Sequence, residues 1–265
     1  GVSSAASDVY KRQLIIMTPV GPGPQPYFLE TAKSVLYASI SRMSTVPLHW
    51  AICGGSGVQW SSITDSLNEC EISIARRITL NELDEITPTE SLSATLIDLG
   101  STHSSAATGR NMIATCAPAQ SWLLNLDADD LLHHERLDEV ARTDSDFHIG
   151  QAVDLRGDDI IQFPESSQAG HEVGKGWFEE SWANGNDCLD VHMTTLSIKR
   201  DVLLRIGGYP SSPVCEDSLL AVRLSREGVR GYISRTIVTT YRIHDAQTTA
   251  SDYDSVAIIS NWANA

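Results

Sequence analysis

Leu14-Ile15-Ile16-Met17 is a short, continuous apolar run closed by Thr18 and Pro19, the pattern of a strand buried on both faces of a parallel sheet. Gly21, Pro22, Gly23, Pro24 and Pro26 then exclude regular structure, after which Phe28, Ala32, Val35, Leu36 and Ile40 recur at helical spacing. Leu48 to Cys53 predicts a second strand, ending in Gly54-Gly55-Ser56-Gly57. Strand, helix and strand make a βαβ unit with its glycine-rich loop at the carboxyl edge of the sheet, where ligands of such sheets bind. Between Ser61 and Asp98 a polar, acidic helical stretch leads to an alternating strand over Ala94 to Leu99. Ala106 to Cys116 predicts a helix. Trp122 to Leu126 is again a buried-strand pattern, and it runs straight into Asp127-Ala128-Asp129-Asp130, so an acid cluster sits at a strand end.

From Phe147 to Asp190 the pattern breaks into short strand-like pieces and a loop rich in Gly, Ser and Trp, the usual form of an insertion that shapes a cleft. Order returns with a strand over Thr194 to Ile198 and a short helix over Arg200 to Ile206 stopped by Gly207-Gly208. An amphipathic helix follows over Asp217 to Glu227, stopped by Gly228, and the last strands lie within Tyr232 to Arg242. Neither an internal repeat nor a low-complexity tract interrupts this order. The expected architecture is α/β, one Rossmann-like domain over 14–250 with a mostly parallel central sheet flanked by helices. Residues 1–13 read as a disordered lead or a cloning remnant, and 251–265 as a tail.

Composition narrows the function classes. The formal charge of -15 over 265 residues repels phosphate backbones and anionic lipid, which argues against a nucleic-acid or membrane-surface role. If the ligand is itself an anionic nucleotide, the same acidity calls for a bound divalent cation. No apolar run approaches the roughly 18 residues of a membrane span, and the start lacks the basic-then-apolar pattern of a secretion signal; a cytoplasmic location is expected. The 5 cysteines are widely spaced and form no C-x-x-C pair, so they read as reduced thiols rather than a disulfide framework or zinc cluster.

Asp127 and Asp129 lie two apart at a strand end, and an extended backbone points both carboxylates to one side. Such an oxygen-rich site suits Mg2+ or Mn2+ completing its shell from substrate phosphates; an isolated D-x-D is more often a solvated loop or a helix cap. Gly109-Arg110-Asn111 precedes the acidic strand on a helix, where an Arg can meet phosphate oxygens. Glu216-Asp217 opens the amphipathic helix, a placement that capping alone would explain. Tyr241-Arg242-Ile243-His244 ends the last strand beside Gln247 and Thr248.

Together these segments resemble the inverting family 2 glycosyltransferases, which have the GT-A fold. The carriers are Met17-Thr18-Pro19-Val20, Gly109-Arg110-Asn111, Leu126-Asp127-Ala128-Asp129-Asp130, the run from Lys199-Arg200 to Ile206-Gly207-Gly208-Tyr209, Glu216-Asp217, and Tyr241-Arg242 with His244. The resemblance implies an enzyme that moves a sugar from a nucleotide diphosphate sugar to a hydroxyl acceptor, whether glycan, lipid-linked or small molecule. It implies a nucleotide-binding half over 14–130 and an acceptor-binding half over 131–250; a homodimer is compatible with it. Thr18, Pro19, Gly54, Gly55, Arg110 and Asp127 fall on the donor side, with Arg110 steadying the diphosphate. Asp129 and His244, with Asp127, fall at the Mn2+ or Mg2+ site. Asp217 matches the general base, with Glu216 as its supporting neighbour.

One departure stands out. Relatives commonly end the second strand with Asp-Asp-Gly-Ser, whereas this chain reads Cys53-Gly54-Gly55-Ser56, which leaves the base preference of the donor open. In the variable region Trp177, Phe178 and Trp182, with His171 and His192, are candidates to line an acceptor site, at even odds with anchoring a loop to the core. Two rivals remain. A sugar-phosphate nucleotidyltransferase needs basic residues in the first turn, and Thr18 to Glu30 contains no Lys or Arg. A non-catalytic nucleotide- or sugar-binding relative of the same fold would have no need to retain the full set of acids and the terminal His.

Overall fold

A computed structural model describes residues 13–80, 85–89, 91–102, 105–162, 164–184, 190–212, 215–245, 247 and 259. Asp187, Cys188, Thr248 and most of the expected lead and tail lie outside them. Strand β1 (Leu14–Val20) is buried along almost its whole length. Leu14 and Ile16 face one hydrophobic core while Ile15 and Met17 face another. Two-sided burial is what the unbroken apolar run requires, and it places β1 in the middle of the sheet.

Helix α1 (Phe28–Ser41) returns the chain to β2 (Leu48–Gly54), which pairs with β1 in parallel. Helix α2 (Trp60–Glu69), β3 (Ser73–Thr79) and β4 (Ser93–Asp98) extend this half to its edge. Helix α3 (Ala106–Cys116) then crosses back to β5 (Trp122–Asn125) on the other side of β1. After β6 (Leu131–Leu132) and α4 (His134–Arg142) come β7 (Phe147–Arg156), β8 (Asp159–Gln162), β9 (His171–Val173) and α5 (Trp177–Asn184). A 3-10 turn at Met193–Thr195 leads into β10 (Ser197–Lys199), α6 (Arg200–Arg205), α7 (Glu216–Arg226) and β11 (Gly231–Ile243).

The strand order is β3-β4-β2-β1-β5-β10-β7-β11-β6, with β8 on β7 and β9 on β11. The first half is parallel; β10 runs antiparallel between β5 and β7, and β11 pairs with β7 in parallel. The chain moves outward to one side of β1 and then to the other, so the sheet has its switch point at β1 and β5, where α/β folds open a crevice at the carboxyl ends of the strands.

Several elements differ from the expectation. The helix α4 was not expected at all, because its apolar positions are few and its buried face includes Arg136 and Asp138. Strand β3 escaped notice because it is a sheet edge with Ile78 as its only fully buried residue. The stretch Thr194 to Ile198 is a 3-10 turn followed by a short strand, and the last strands are one long strand, β11, whose pairing with β7 shifts register around Ile237.

The glycine-rich turn after β2 is a close-packed junction. A Cβ on Gly54 would lie 2.5 Å from Val20 Cγ2, 2.7 Å from Val58 Cγ2 and 3.0 Å from the Val20 carbonyl oxygen. The first loop is pinned there too, since Gly23 N–H donates to the Gly57 carbonyl at 2.9 Å. Gly54→Ala is therefore expected to lower stability by about 1–3 kcal/mol through overpacking, read as a shift in the urea midpoint at unchanged slope; an unchanged midpoint would show that the junction gives way freely.

Candidate active site

Three consecutive residues of α3 each reach a different part of the molecule. Gly109 lets the helix approach the end of β1, where a Cβ would come within 3.1 Å of Pro19 Cβ. Asn111 clasps the backbone of Tyr209: its amide donates to the Tyr209 carbonyl at 2.9 Å, and the Tyr209 N–H donates back at 2.8 Å. This clasp requires Gly208, which has φ +72 and whose missing Cβ would collide with Asn111.

Between them Arg110 bridges two acids. Its Nη2 donates to Asp127 Oδ1 at 2.5 Å and its Nη1 to Glu216 Oε1 at 2.7 Å. The side chain is only 4% exposed, and its guanidinium lies 5.4 Å from the centre of the Tyr209 ring. Burial alone would lower its pKa, but Asp127, Tyr209, Glu216 and Asp217 outweigh that and raise it. Arg110 is therefore committed to carboxylates. The expectation that it holds a diphosphate directly is corrected: its terminal nitrogens face Asp127 and Glu216, so no free fork is left for phosphate.

Asp127 and Asp129 follow β5, and the turn closes with Asp130 N–H donating to the Asp127 carbonyl at 3.2 Å. Asp129 Oδ2 and His244 Nε2 lie 2.8 Å apart, which brings together residues 115 positions apart in sequence. Burial and the neighbouring Asp127 raise the Asp129 pKa, with His244 opposing. Asp130 points inward and is fully buried. Its Oδ1 accepts the Arg242 N–H at 3.0 Å, while Oδ2 has no partner, and burial drives its pKa well up. Asp130 thus ties the acidic turn to β11, and through β11 to His244.

The other side of the turn is closed by Arg242. Its Nε donates to the Asp129 carbonyl at 3.0 Å, and its guanidinium pairs with Glu30 and lies 4.4 Å from the Tyr27 ring centre. Tyr27 also packs on His244, with ring centres 4.9 Å apart. Beneath the turn Arg136, with no exposure, donates to the Asn125 and Leu196 carbonyls at 2.5 and 2.6 Å. These bonds hold the ends of β5 and β10 together under the acids. Burial lowers its pKa to about 9.

Glu216 and Asp217 open α7 directly after Cys215, which adopts a left-handed conformation with φ 60. Burial and Asp217 raise the Glu216 pKa against the pull of Arg110. Asp217 Oδ1 accepts the Ser218 N–H at 2.7 Å. Asp127, Asp129, Glu216 and Asp217 are thus gathered around the buried Arg110 and the Asp129–His244 pair.

Other expected site residues fall elsewhere. Thr18 is fully buried and its hydroxyl accepts from Trp50 Nε1 at 2.8 Å, so its side chain is turned away from any donor. Gly54 and Gly55 lie in the buried junction described above, and their carbonyls accept from Leu99 and Val58. Trp177 and Trp182 are corrected. Trp177 is 2% exposed and packs on Phe147, and Trp182 stacks on Phe178 against the same core. The start of α5 is bonded to Ser225, since Gly176 and Phe178 N–H both donate to its hydroxyl at 3.1 Å. Ser225 lies eight positions along the helix from Asp217, roughly 12 Å at the rise of an α-helix, so the aromatic segment anchors the far end of α7. His171 pairs with Ile233 near the beginning of β11, and Asp190 accepts from Ser167 and Ser181. His192 lies close to this group: burial lowers its pKa, while Asp154, Asp217 and Asp127 pull it the other way. Glu30, Tyr27, Asn125 and Asp154 were not foreseen.

A cation at this site would be met by the Asp129 carboxylate and the His244 imidazole, a donor pair suited to Mn2+. Asp127 offers less than expected, because its Oδ1 is taken by Arg110. Among the described residues no three His, Cys, Asp or Glu side chains converge as a ready-made metal cage, so the shell would be completed by the ligand, as Mg2+ and Mn2+ sites on phosphates commonly are. No described helix is long and apolar enough to cross a membrane.

No protein-family model and no curated protein sequence matches the chain. Solved structures do. TarS 1-349 of S. aureus in complex with UDP-GlcNAc matches with a TM-score of 0.67 at 14% identity over 94% of this chain, which spans 64% of that one. The mannosyltransferase PcManGT of Pyrobaculum calidifontis, in complex with GDP-Man and Mn2+, matches at 0.53 and 14% identity over 90% of this chain and 59% of its own. Glucosyl-3-phosphoglycerate synthase of Mycobacterium tuberculosis, with Mn2+ and UDP-glucose, matches at 0.53 and 9% identity over 96% and 79%. With β1 and β5 at the switch point and the acidic turn at the carboxyl edge, the chain has the GT-A fold of the glycosyltransferases.

Proposed function

We propose that the chain is an inverting, divalent-cation-dependent glycosyltransferase that moves a sugar from a nucleotide diphosphate sugar to a hydroxyl acceptor. The observation that carries this reading is the convergence of Asp129 and His244 at 2.8 Å beside an acidic group that Arg110 cross-links. Asp127, Asp129, Glu216 and Asp217 leave the pocket with excess negative charge once Arg110 is accounted for, and such a pocket accepts a diphosphate only with added positive charge. Asp129 and His244 are the residues that would hold it, and the cation would neutralise the departing diphosphate. The same fold is seen with UDP-GlcNAc, GDP-Man and UDP-glucose, in two of the three cases with Mn2+.

The remaining work falls to the chain's own groups. Asp217 removes the proton from the acceptor hydroxyl as its oxygen attacks the anomeric carbon opposite the leaving nucleotide. Glu216 is held by Arg110, which fixes the start of α7 relative to the acidic turn and so sets where Asp217 stands. Cytoplasmic work is consistent with the reduced thiols of Cys53, Cys70 and Cys215. Pro19, near the carboxyl end of β1, would border the nucleotide, and the strand order supports a division into a donor half over 14–130 and an acceptor half over 131–250.

The test is a panel of UDP and GDP sugars titrated with and without Mn2+. Binding is expected to strengthen with the cation in the native chain, and Asp129→Ala is expected to lose that enhancement by tenfold or more, on the order of 1.4 kcal/mol. Cation-independent binding, or an Asp129→Ala variant with full enhancement, would refute the assignment.

A further inference from the structure

Across the end of the sheet beside Asp217, three strands present a row of side chains that the donor chemistry does not use. Tyr241 of β11 is registered with Asp154 of β7, and Asp154 with Ile161 of β8. Registered neighbours share a face of the sheet. The ring of His192 lies over this row, its centre 4.4 Å from that of Tyr241. Asp154 Oδ1 is buried and makes no hydrogen bond, with His192 Nε2 3.8 Å away. A buried carboxylate oxygen left without a donor is costly and calls for an explanation. Ile161, next along the row, is 45% exposed.

We infer that Asp154, His192, Tyr241 and Ile161 form a subsite for a neutral, polyhydroxylated acceptor, one of whose hydroxyls donates to Asp154 Oδ1. This rests on the transfer reading above and specifies its acceptor. A carboxylate oxygen that lacks a donor is matched by an O–H. An aromatic ring and an exposed isoleucine on the same face are matched by the apolar face of a sugar ring. The subsite adjoins the helix that carries Asp217, because α7 packs against the 3-10 turn at Met193–Thr195, which His192 immediately precedes. Burial lowers the His192 pKa against the pull of Asp154, Asp217 and Asp127, so the imidazole is neutral at neutral pH. The charges facing the subsite are then Asp154, Asp217 and Asp127, which repel a phosphate-bearing acceptor.

The test is ligand-observed NMR on the whole chain with Mg2+ and either UDP or GDP, titrating the methyl glycosides of glucose, galactose, mannose and N-acetylglucosamine. Glycerol 3-phosphate serves as the anionic comparison. At least one glycoside is expected to bind, with its affinity reduced roughly tenfold or more in Asp154→Ala and less in Asp154→Asn, whose amide oxygen still accepts. Equal affinity in native chain and Asp154→Ala, no binding by any glycoside, or tighter binding of glycerol 3-phosphate would overturn the subsite. The nucleotide signals in the same sample report the donor half separately: nucleotide binding with any of those results sinks the subsite alone, whereas absence of nucleotide binding sinks the transfer reading as well. Thermal melts identify a variant that fails to fold, and Asp154→Asn, which preserves volume, then decides the matter.

Discussion

Asp217→Asn should bind nucleotide sugar as the native chain does and lose transfer by about 10^2 to 10^4-fold, the range associated with removing a general base. The substitution is nearly isosteric, and the amide oxygen still accepts the Ser218 N–H that the carboxylate accepts at 2.7 Å, so α7 keeps its first turn. What disappears is the ability to take a proton. The loss therefore falls on turnover rather than on donor affinity, a separation that single-turnover kinetics at saturating donor resolves. Glu216 is no substitute, because its carboxylate is engaged by Arg110. Transfer at the native rate by Asp217→Asn would remove the base assignment.

The second large effect is on stability. Arg110→Ala leaves Asp127, Glu216 and Asp217 facing one another without the cation that separates them. Breaking a buried ion pair by removing one partner costs about 3–5 kcal/mol. Asp127 is 31% exposed, so solvent screens part of the loss, and about 2–3 kcal/mol is expected at neutral pH. The sign of its pH dependence follows from Glu216. The Glu216 carboxyl already has a raised pKa, and without Arg110 it rises further, so the folded variant gains relative stability as the pH falls and that acid takes up a proton. Urea unfolding at two pH values should show the gap between native chain and variant narrowing on the acid side. Arg110→Lys is not expected to repair it, because a single ammonium cannot span two carboxylates as a guanidinium does. A gap that widens with acid would place the loss elsewhere.

The sheet's centre was legible because β1, β2 and β5 are buried on both faces, and burial of that kind writes an uninterrupted apolar run. Helix α4 was not legible, since the residue that does most for the site there is Arg136, a charged side chain satisfied by backbone carbonyls that no periodicity reveals. The acids and the terminal histidine were identifiable as chemistry-bearing residues, and their types do meet in space. The role of Arg110 was misread. An arginine on a helix near an acidic strand is equally compatible with phosphate and carboxylate, and only the geometry of Glu216 decides between them. Trp177 and Trp182 misled for the opposite reason: an aromatic cluster in an irregular segment looks alike whether it faces a cleft or, as here, a core. Asp154 carried no signal because it sits inside a strand without a motif, and its distinction is an unmatched oxygen atom.

Tyr27 touches both Arg242 and His244, while Arg242 is bonded to Glu30 on the same helix that Tyr27 precedes. The start of helix α1 and the histidine that meets Asp129 are therefore linked through the same contacts. On the proposed function, an outward swing of this segment would strip His244 of its packing, so release of a nucleotide and release of a cation held by Asp129 and His244 would become one coupled event.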